Sequence, residues 1–217
     1  FDVKAGNKTK RAVYGGQPLV THPDLVDYAF APSLAAALKR NALFHRLFED
    51  AVATDLALSK DYDAHQQFTL YRQYDRKDVC RLLNWPLDVS APMYGYRVGE
   101  RECPIFITYH KDDDQRRNAI YDNQLQNGQS LRWYTRSPRH RSSPEVQRLL
   151  SGKVKIHLFV KRSDAVGKQF YYLGPAKIQP GSAKEEKLGA NHKPAVGMNL
   201  VLTHPLATRL RRLLFEK

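Results

Sequence analysis

Two periodicities divide this chain. Leu34, Leu38, Phe44, Phe48, Val52 and Leu56 recur at near-helical spacing, with Leu43 and Leu47 beside them. That spacing predicts a helix behind Ser33 as N-cap, or two helices broken near Asn41, with one apolar stripe. Asp75 with Asp78 three residues on opens a second helix carrying Val79, Leu82 and Leu83, and Pro86 stops it at Trp85. From Tyr94 the period becomes that of a strand. Residues 94–98 read as a strand entering a turn at Gly99, and Cys103–Tyr109 as its hairpin partner. Ile105 and Ile107 fall on one face of that strand, Phe106 and Thr108 on the other.

Further on, Asn127-Gly128 is a hairpin signal before a strand over Leu131–Tyr134. Ser143-Pro144-Glu145 opens a helix built on Val146, Leu149 and Leu150 that Gly152 ends. Val154–Val160 and Gln169–Leu173 are strands joined by a glycine-containing loop, and Met198–Thr203 is a last strand. A helix on Leu206, Leu210, Leu213 and Leu214 closes the chain. Residues 1–32, broken by Gly15-Gly16, Pro18, Pro23 and Pro32, read as an irregular arm, and 179–197 as a loop. The expected organisation is a linker and helical junction over residues 1–68 and a recognition domain over 69–217. Its fold class is α+β: a β-barrel or strongly curved mixed sheet with flanking helices, preceded by a helical segment.

Charge adds the first functional constraint. Thirty-five lysines and arginines against 22 acids leave a formal charge of +13 over 217 residues. Such an excess calls for an anionic partner, for which nucleic acid is the commonest answer. No apolar run approaches the roughly 20 residues that span a bilayer, and no basic amphipathic helix presents a clean apolar face, so no membrane partner is expected. Cys80 and Cys103 are too few for a disulfide framework or a four-ligand zinc site, which fits a reducing, intracellular compartment. A chain that begins at Phe1 without a signal pattern reads as a piece of a longer polypeptide.

Candidate chemistry gathers in two places. Between Arg132 and Arg162 lie Arg132, Arg136, Arg139, Arg141, Arg148, Lys153, Lys155, Lys161 and Arg162 against one acid, Glu145. These cations can neutralise phosphates without reading sequence. Trp133 and Tyr134 among the arginines offer the π-faces that an unpaired base stacks on. The second place is the strand exit at Tyr109-His110-Lys111-Asp112, where a barrel mouth would lie. Asp112 or Asp122 could accept from the amino group of a cytosine. Catalytic signatures fail: His110, Asn118 and His140 do not sit in a compact metal-holding ββα order, and Glu102 lacks an acid-x-Lys partner. No phosphate-binding glycine loop, zinc spacing or nucleophile elbow occurs, so no cofactor is expected.

Five blocks then occur in one order. They are Asp75–Trp85; Tyr94-Gly95-Tyr96; Cys103–Lys111; Ser143-Pro144-Glu145-Val146; and Ile156–Lys161 with Phe170–Gly174. Together they resemble the C-terminal domain behind superfamily 2 helicase cores in bacterial restriction proteins, of which the SauUSI-type modification-dependent (type IV) enzymes are members. The resemblance covers about residues 70–205. It implies an SRA-like, that is PUA-like, domain that selects DNA carrying 5-methylcytosine or 5-hydroxymethylcytosine by flipping the base. It also implies helicase and nuclease domains in the same longer chain, a bacterial cytoplasmic setting and a part in phage defence. The chain itself is then a non-catalytic reader of double-stranded DNA. On the local reading of the two places above, and not on the resemblance, Tyr109, His110, Asp112, Asp122, Trp133 and Tyr134 are expected to line its base pocket. Lys111, Arg132, Arg136, Arg139, Arg141, Lys161 and Arg162 hold the backbone. The rivals are a reader of phosphorothioate, branched or single-stranded DNA, a metal-dependent nuclease domain, and a generic docking domain.

Overall fold

The computed structural model describes residues 19–21, 27–85, 93, 95–110, 125–126, 128–188 and 192–216, of which 125–126 as backbone. Two compact units result: Phe1–Gln67 with Cys80–Ser90, and Phe68–Val79 with Ala91–Lys217.

In the first unit the arm is not wholly irregular. Strands β1 (Val20–Thr21) and β2 (Ala29–Phe30) pair antiparallel. Helix α1 (Pro32–Arg40) starts two residues earlier than an N-cap at Ser33 implies, with Ala31 as N-cap, because Pro32 supplies a preset first turn. The break at Asn41 makes two helices. The Asn41 side chain accepts from the Phe44 amide at 3.0 Å and so caps α2 (Ala42–Ser59). Leu34 and Leu38 of α1 are buried, whereas no residue of α2 is. The apolar stripe expected to face a core is therefore open along α2.

The second unit is built on a mixed, curled half-barrel sheet with its strands in the order β4-β7-β8-β10-β6-β5. These are β4 (Glu102–Thr108), β5 (Leu125–Gln126), β6 (Ser130–Tyr134), β7 (Lys155–Lys161), β8 (Phe170–Ile178) and β10 (Lys193–Leu202). Two shorter strands join from the side: β3 (Gln73–Tyr74) on β8 and β9 (Lys184–Leu188) on β10. Helix α3 (Arg76–Leu82) opens with the expected capping box: the Asp78 amide donates to Asp75 Oδ1 at 2.7 Å and the Asp75 amide to Asp78 Oδ2 at 3.4 Å. Helix α4 (Pro144–Leu150) begins at Ser143 and ends before Gly152, as read, and α5 (Thr208–Phe215) buries Leu210 and Leu214. The curved mixed sheet with flanking helices, preceded by a helical segment, is thus the fold.

Three expectations change. Residues 95–99 form no strand: a single bridge joins Tyr96 to Ile105, and Gly95 takes φ +85°. Strand β4 instead pairs parallel with β7, Glu102 opposite Lys155 through Thr108 opposite Lys161. Continuous burial from Cys103 to Ile107 is the signature of a parallel strand covered on both faces. Residues 179–197 are not a loop, because β9 pairs with the first half of β10, Lys184 opposite Gly197. An edge ladder held by backbone bonds can be written in lysine and glutamate. Finally, Phe68–Tyr71, a short run whose sequence allows an extended segment, is a turn, with Tyr71 at φ +65°.

The sheet is packed on both sides. One face buries Ile105, Ile107, Leu131, Trp133, Leu158, Val160, Met198 and Leu200 with Val146 and Leu149 of α4 and Leu210 and Leu214 of α5. The other carries an aromatic layer over β4, β7 and β8. There Phe106 stacks on Phe159 at 4.9 Å, and Phe68 packs edge-on to Phe159 at 5.2 Å and to His157 at 4.9 Å. Such ring pairs contribute about 0.5–1.5 kcal/mol each beyond their buried area. Inside this layer His157 is held between the Tyr172 hydroxyl (Nδ1, 3.0 Å) and Glu102 Oε2 (Nε2, 2.6 Å).

Candidate nucleic-acid interface

Alternation along β4 sends Phe106, Thr108 and His110 to the aromatic face and Tyr109 to the core face. At the exit end of β4 and β7 that aromatic face becomes charged. Arg76, in the first turn of α3, lies over the rings of Phe106 (5.5 Å) and Phe170 (5.2 Å). Lys161 sits 4.9 Å from the Phe170 centroid, pairs with Asp164 Oδ1 at 2.8 Å and donates to the Gly167 carbonyl at 2.8 Å. The Thr108 hydroxyl donates to Asp164 Oδ1 at 3.4 Å. The hydrogen bond from Lys161 holds the Asp164 carboxyl below its usual range, against a partial desolvation. Burial pulls Arg76 down, with Asp164 opposing, and its Nε is buried without a hydrogen-bond partner among the described residues. A desolvated guanidinium stacked on two buried rings, Phe106 at 4% and Phe170 at 1% exposure, beside an ionised carboxylate is a closed polar-aromatic cluster.

Tyr109 does not belong to that cluster. Its ring packs edge-on to Phe215 of α5 at 4.6 Å. The His110 amide donates to the Arg162 carbonyl at 2.7 Å, which extends the β4–β7 pairing by one step, and its ring lies edge-on to Tyr109 at 5.0 Å. Lys111, Asp112 and Asp122 lie outside the described residues.

The arginine segment is built differently. Trp133 is a core residue, 4% exposed and edge-on to Tyr96 at 4.9 Å, because alternation along β6 turns it inward with Leu131. It cannot stack on a base without unpacking that core. Arg132 and Tyr134 point to the other face. The Arg132 guanidinium lies over the Tyr134 ring at 5.2 Å, pairs with Glu186, and donates to Asn199 Oδ1 and the Ser182 carbonyl, both at 3.1 Å. Gly197 makes this possible: a Cβ there would meet a Tyr134 ring carbon at 2.6 Å and the Glu186 carboxylate at 2.8 Å. An open cleft of about 500 Å³ lies beside them, lined by Arg132, Gln179, Ser182, Lys184, Glu186 and Asn199.

Arg136 and Arg139 converge on Glu145, at 3.3 Å and 2.5 Å, and the Tyr96 hydroxyl donates to the same carboxylate at 2.5 Å. Arg136 also lies over the Tyr96 ring at 4.6 Å. Burial alone would raise the Glu145 pKa; the bonds from Tyr96 and Arg139 and the charges of Arg136 and Arg139 outweigh it and hold the carboxyl below its usual range. Glu185 Oε1 accepts from the Arg141 amide at 2.7 Å, and its other oxygen lies 3.4 Å from His140 Nδ1. The segment that reads as nearly acid-free in sequence is therefore answered by three glutamates, two of them on β9.

Strand directions settle whether the two places face each other. β7 runs parallel to β4, and β8, β10 and β6 then alternate, so β6 runs opposite to β4. Tyr109 and His110 therefore leave the sheet at the end where β6 begins, and Arg136–Arg141 leave it at the end where β4 begins. They form two separate sites. Arg76, Phe106, Asp164 and Phe170 escape a linear reading because they come from four segments. The one local signal was Lys161 with Asp164 three residues on, inside the hairpin loop.

Residues 68–214 match a family described as a domain of unknown function, DUF3427. The chain belongs to the DUF3427 family. No curated protein matches it. Among solved structures, this DUF3427 chain is similar to the SUVH5 SRA domain in complex with hemi-methylated CG DNA, at 12% identity and TM-score 0.43, over 64% of this chain and 90% of that one. It is similar also to the DNA modification-dependent restriction endonuclease AspBHI (14%, TM-score 0.34, 53% of this chain and 35% of that) and to the MspJI restriction endonuclease with a 27-mer oligonucleotide (10%, 0.35, 50% and 31%).

At the β4–β7 exit of this DUF3427 chain two cations and an ionised acid thus gather over two buried rings. Among the described residues no group of three His, Cys, Asp or Glu could hold a metal ion, and no helix is long and apolar enough to cross a membrane.

Proposed function

We propose that this DUF3427 domain is a non-catalytic reader of modified cytosine, 5-methyl or 5-hydroxymethyl, in double-stranded DNA, and that it takes the base out of the stack. The observation that carries this reading is the cluster at the exit of β4 and β7, where Arg76, Lys161 and Asp164 converge over the buried rings of Phe106 and Phe170. There Asp164, 44% exposed, accepts from the exocyclic amino group, Arg76 donates to a carbonyl or phosphate oxygen, and the phenylalanine rings hold Arg76 in place. Lys111, Asp112 and Asp122, which lie outside the described residues, remain candidates on their sequence alone. Arg132, Arg136, Arg139, Arg141 and Arg162 supply charge to the backbone, which positions the duplex without reading it. On the resemblance to type IV restriction proteins, we propose further that the domain stands behind helicase and nuclease domains of a longer bacterial, cytoplasmic chain that acts against phage.

Fluorescence anisotropy with unmodified, 5-methylcytosine and 5-hydroxymethylcytosine duplexes tests it. A well-placed polar contact discriminates by about 1–3 kcal/mol, roughly 5- to 150-fold in affinity. Asp164→Asn should weaken binding to all three duplexes alike, because the exocyclic amino group is common to cytosine and both modified forms, while keeping its salt dependence. Equal affinity of the wild-type chain for all three duplexes overturns the modified-base reading. Plasmid cleavage with Mg²⁺ or Mn²⁺ overturns the non-catalytic one.

A further inference from the structure

Helix α2 is 18 residues long and none of them is buried. Three of its four most exposed apolar residues are not scattered; the fourth, Leu56 at 62%, lies on another side of the helix. Leu43, Leu47 and Leu58, at 57%, 57% and 56% exposure, share one stripe with Ala51 and Thr54, at steps of four, four, three and four. Phe48 points elsewhere, edge-on to Phe30 at 5.5 Å, so the stripe is not what holds α2 in its own unit. A helix of this length is marginal in water without a packed face, and an uncovered leucine seam marks an interaction site.

Charge selects the occupant. Lys39 and Arg40 end α1, and His45 and Arg46 begin α2; Glu49, Asp50 and Asp55 follow, then Lys60 at the C-cap with Asp61 and Asp63 beyond it. No acid lies in the first turn of α2 and no base in its last, so only Lys60 at the C-cap offsets the helix dipole. An antiparallel neighbour of the same sequence brings its basic end to this acidic end and its dipole against this one. The seam suits the same arrangement: with two-fold symmetry centred between Asp50 and Ala51, Leu43 faces Leu58 and Leu47 faces the smaller Thr54. A lipid surface would call for a polar face rich in lysine and arginine, and α2 offers Arg46 against three acids.

We propose that the α2 seam is a self-association surface and that its occupant is a second copy of this chain, packed antiparallel. One helix pair about 27 Å long is a small interface, so association in the micromolar range is expected.

Sedimentation velocity of the full chain across the micromolar range should show a shift from 24.9 kDa towards twice that mass. Leu47→Glu, at an exposed position, should weaken the dimer at least tenfold while circular dichroism shows the helical content kept. Orientation is read by cysteine cross-linking, since Cys80 and Cys103 are buried. A Leu43→Cys copy should cross-link to a Leu58→Cys copy and not to itself. A chain that stays monomeric throughout, a dimer indifferent to Leu47→Glu, or a 43-to-43 cross-link each overturns the proposal. The first of these would assign the seam to another domain of a longer polypeptide.

Discussion

Glu145 holds the loop after β6 through Arg136, Arg139 and the Tyr96 hydroxyl, and replacing it by glutamine isolates what its charge contributes. A neutral hydrogen bond is worth about 1 kcal/mol net and a charge-assisted one about twice that. Neutralising one carboxylate with three donors therefore costs about 3 kcal/mol before screening. The carboxylate is 22% exposed and the arginines 29% and 30%, so solvent cuts this to about 1.5 kcal/mol. For a chain of this size that lowers Tm by about 3–6 °C. DNA binding should move the other way. Two arginines released towards phosphate steepen the slope of log affinity against log salt by about 1–2. The sign with pH follows from the lowered Glu145 pKa. The stabilisation is complete above the unfolded carboxyl value near about 4.3 and is lost as pH falls through the lower folded value. Urea titrations at neutral pH and near pH 3 should show wild type and Glu145→Gln differing at the first and converging at the second. An unchanged midpoint at neutral pH, or weaker DNA binding with an unchanged slope, would refute this account.

Two other outcomes are expected. Trp133→Ala should cost about 3–5 kcal/mol in chemical denaturation, with any loss of DNA binding tracking the unfolded fraction; a folded, stable variant that merely loses modified-base preference would return Trp133 to the site. Burial pulls the His157 pKa down, with Glu102 opposing, so the unfolded chain takes up its proton first and stability should decline as pH falls below about 6.5. His157→Phe should flatten the dependence of thermal stability on pH between about 5 and 7, and an unaltered slope in that variant would count against it.

The helix starts at Asp75 and Ser143, the break at Asn41 and the two faces of β4 were legible because each is set by neighbours in sequence. Pairing was not. The apolar run Cys103–Ile107 looks the same whether its partner is a hairpin strand or a strand some fifty residues away. Burial on both faces, which sequence cannot display, distinguishes the two. Strand β9 was missed because lysine and glutamate at an edge carry no hydrophobic period. The same omission misjudged the arginine segment: Glu185 and Glu186 lie far from Arg132 and Arg141 along the chain and reach them only through the β9–β10 ladder. Trp133 among arginines looked like a stacking platform, yet its position in the alternation with Leu131 already pointed inward.

The outer side of β4 has a consequence of its own. This strand ends the sheet order and is the most apolar run in the chain, a template on which another β-chain could grow. Its free side is nevertheless used up. The Phe106 amide donates to the Gly95 carbonyl at 2.6 Å, the Pro104 carbonyl accepts from Arg97 at 3.3 Å and that of Glu102 from Gly99 at 2.9 Å. Pro104 has no amide hydrogen to offer. The irregular course of residues 95–99, which forfeits a regular hairpin, thus works as a guard rail: it closes the edge without adding a strand whose own edge would need guarding.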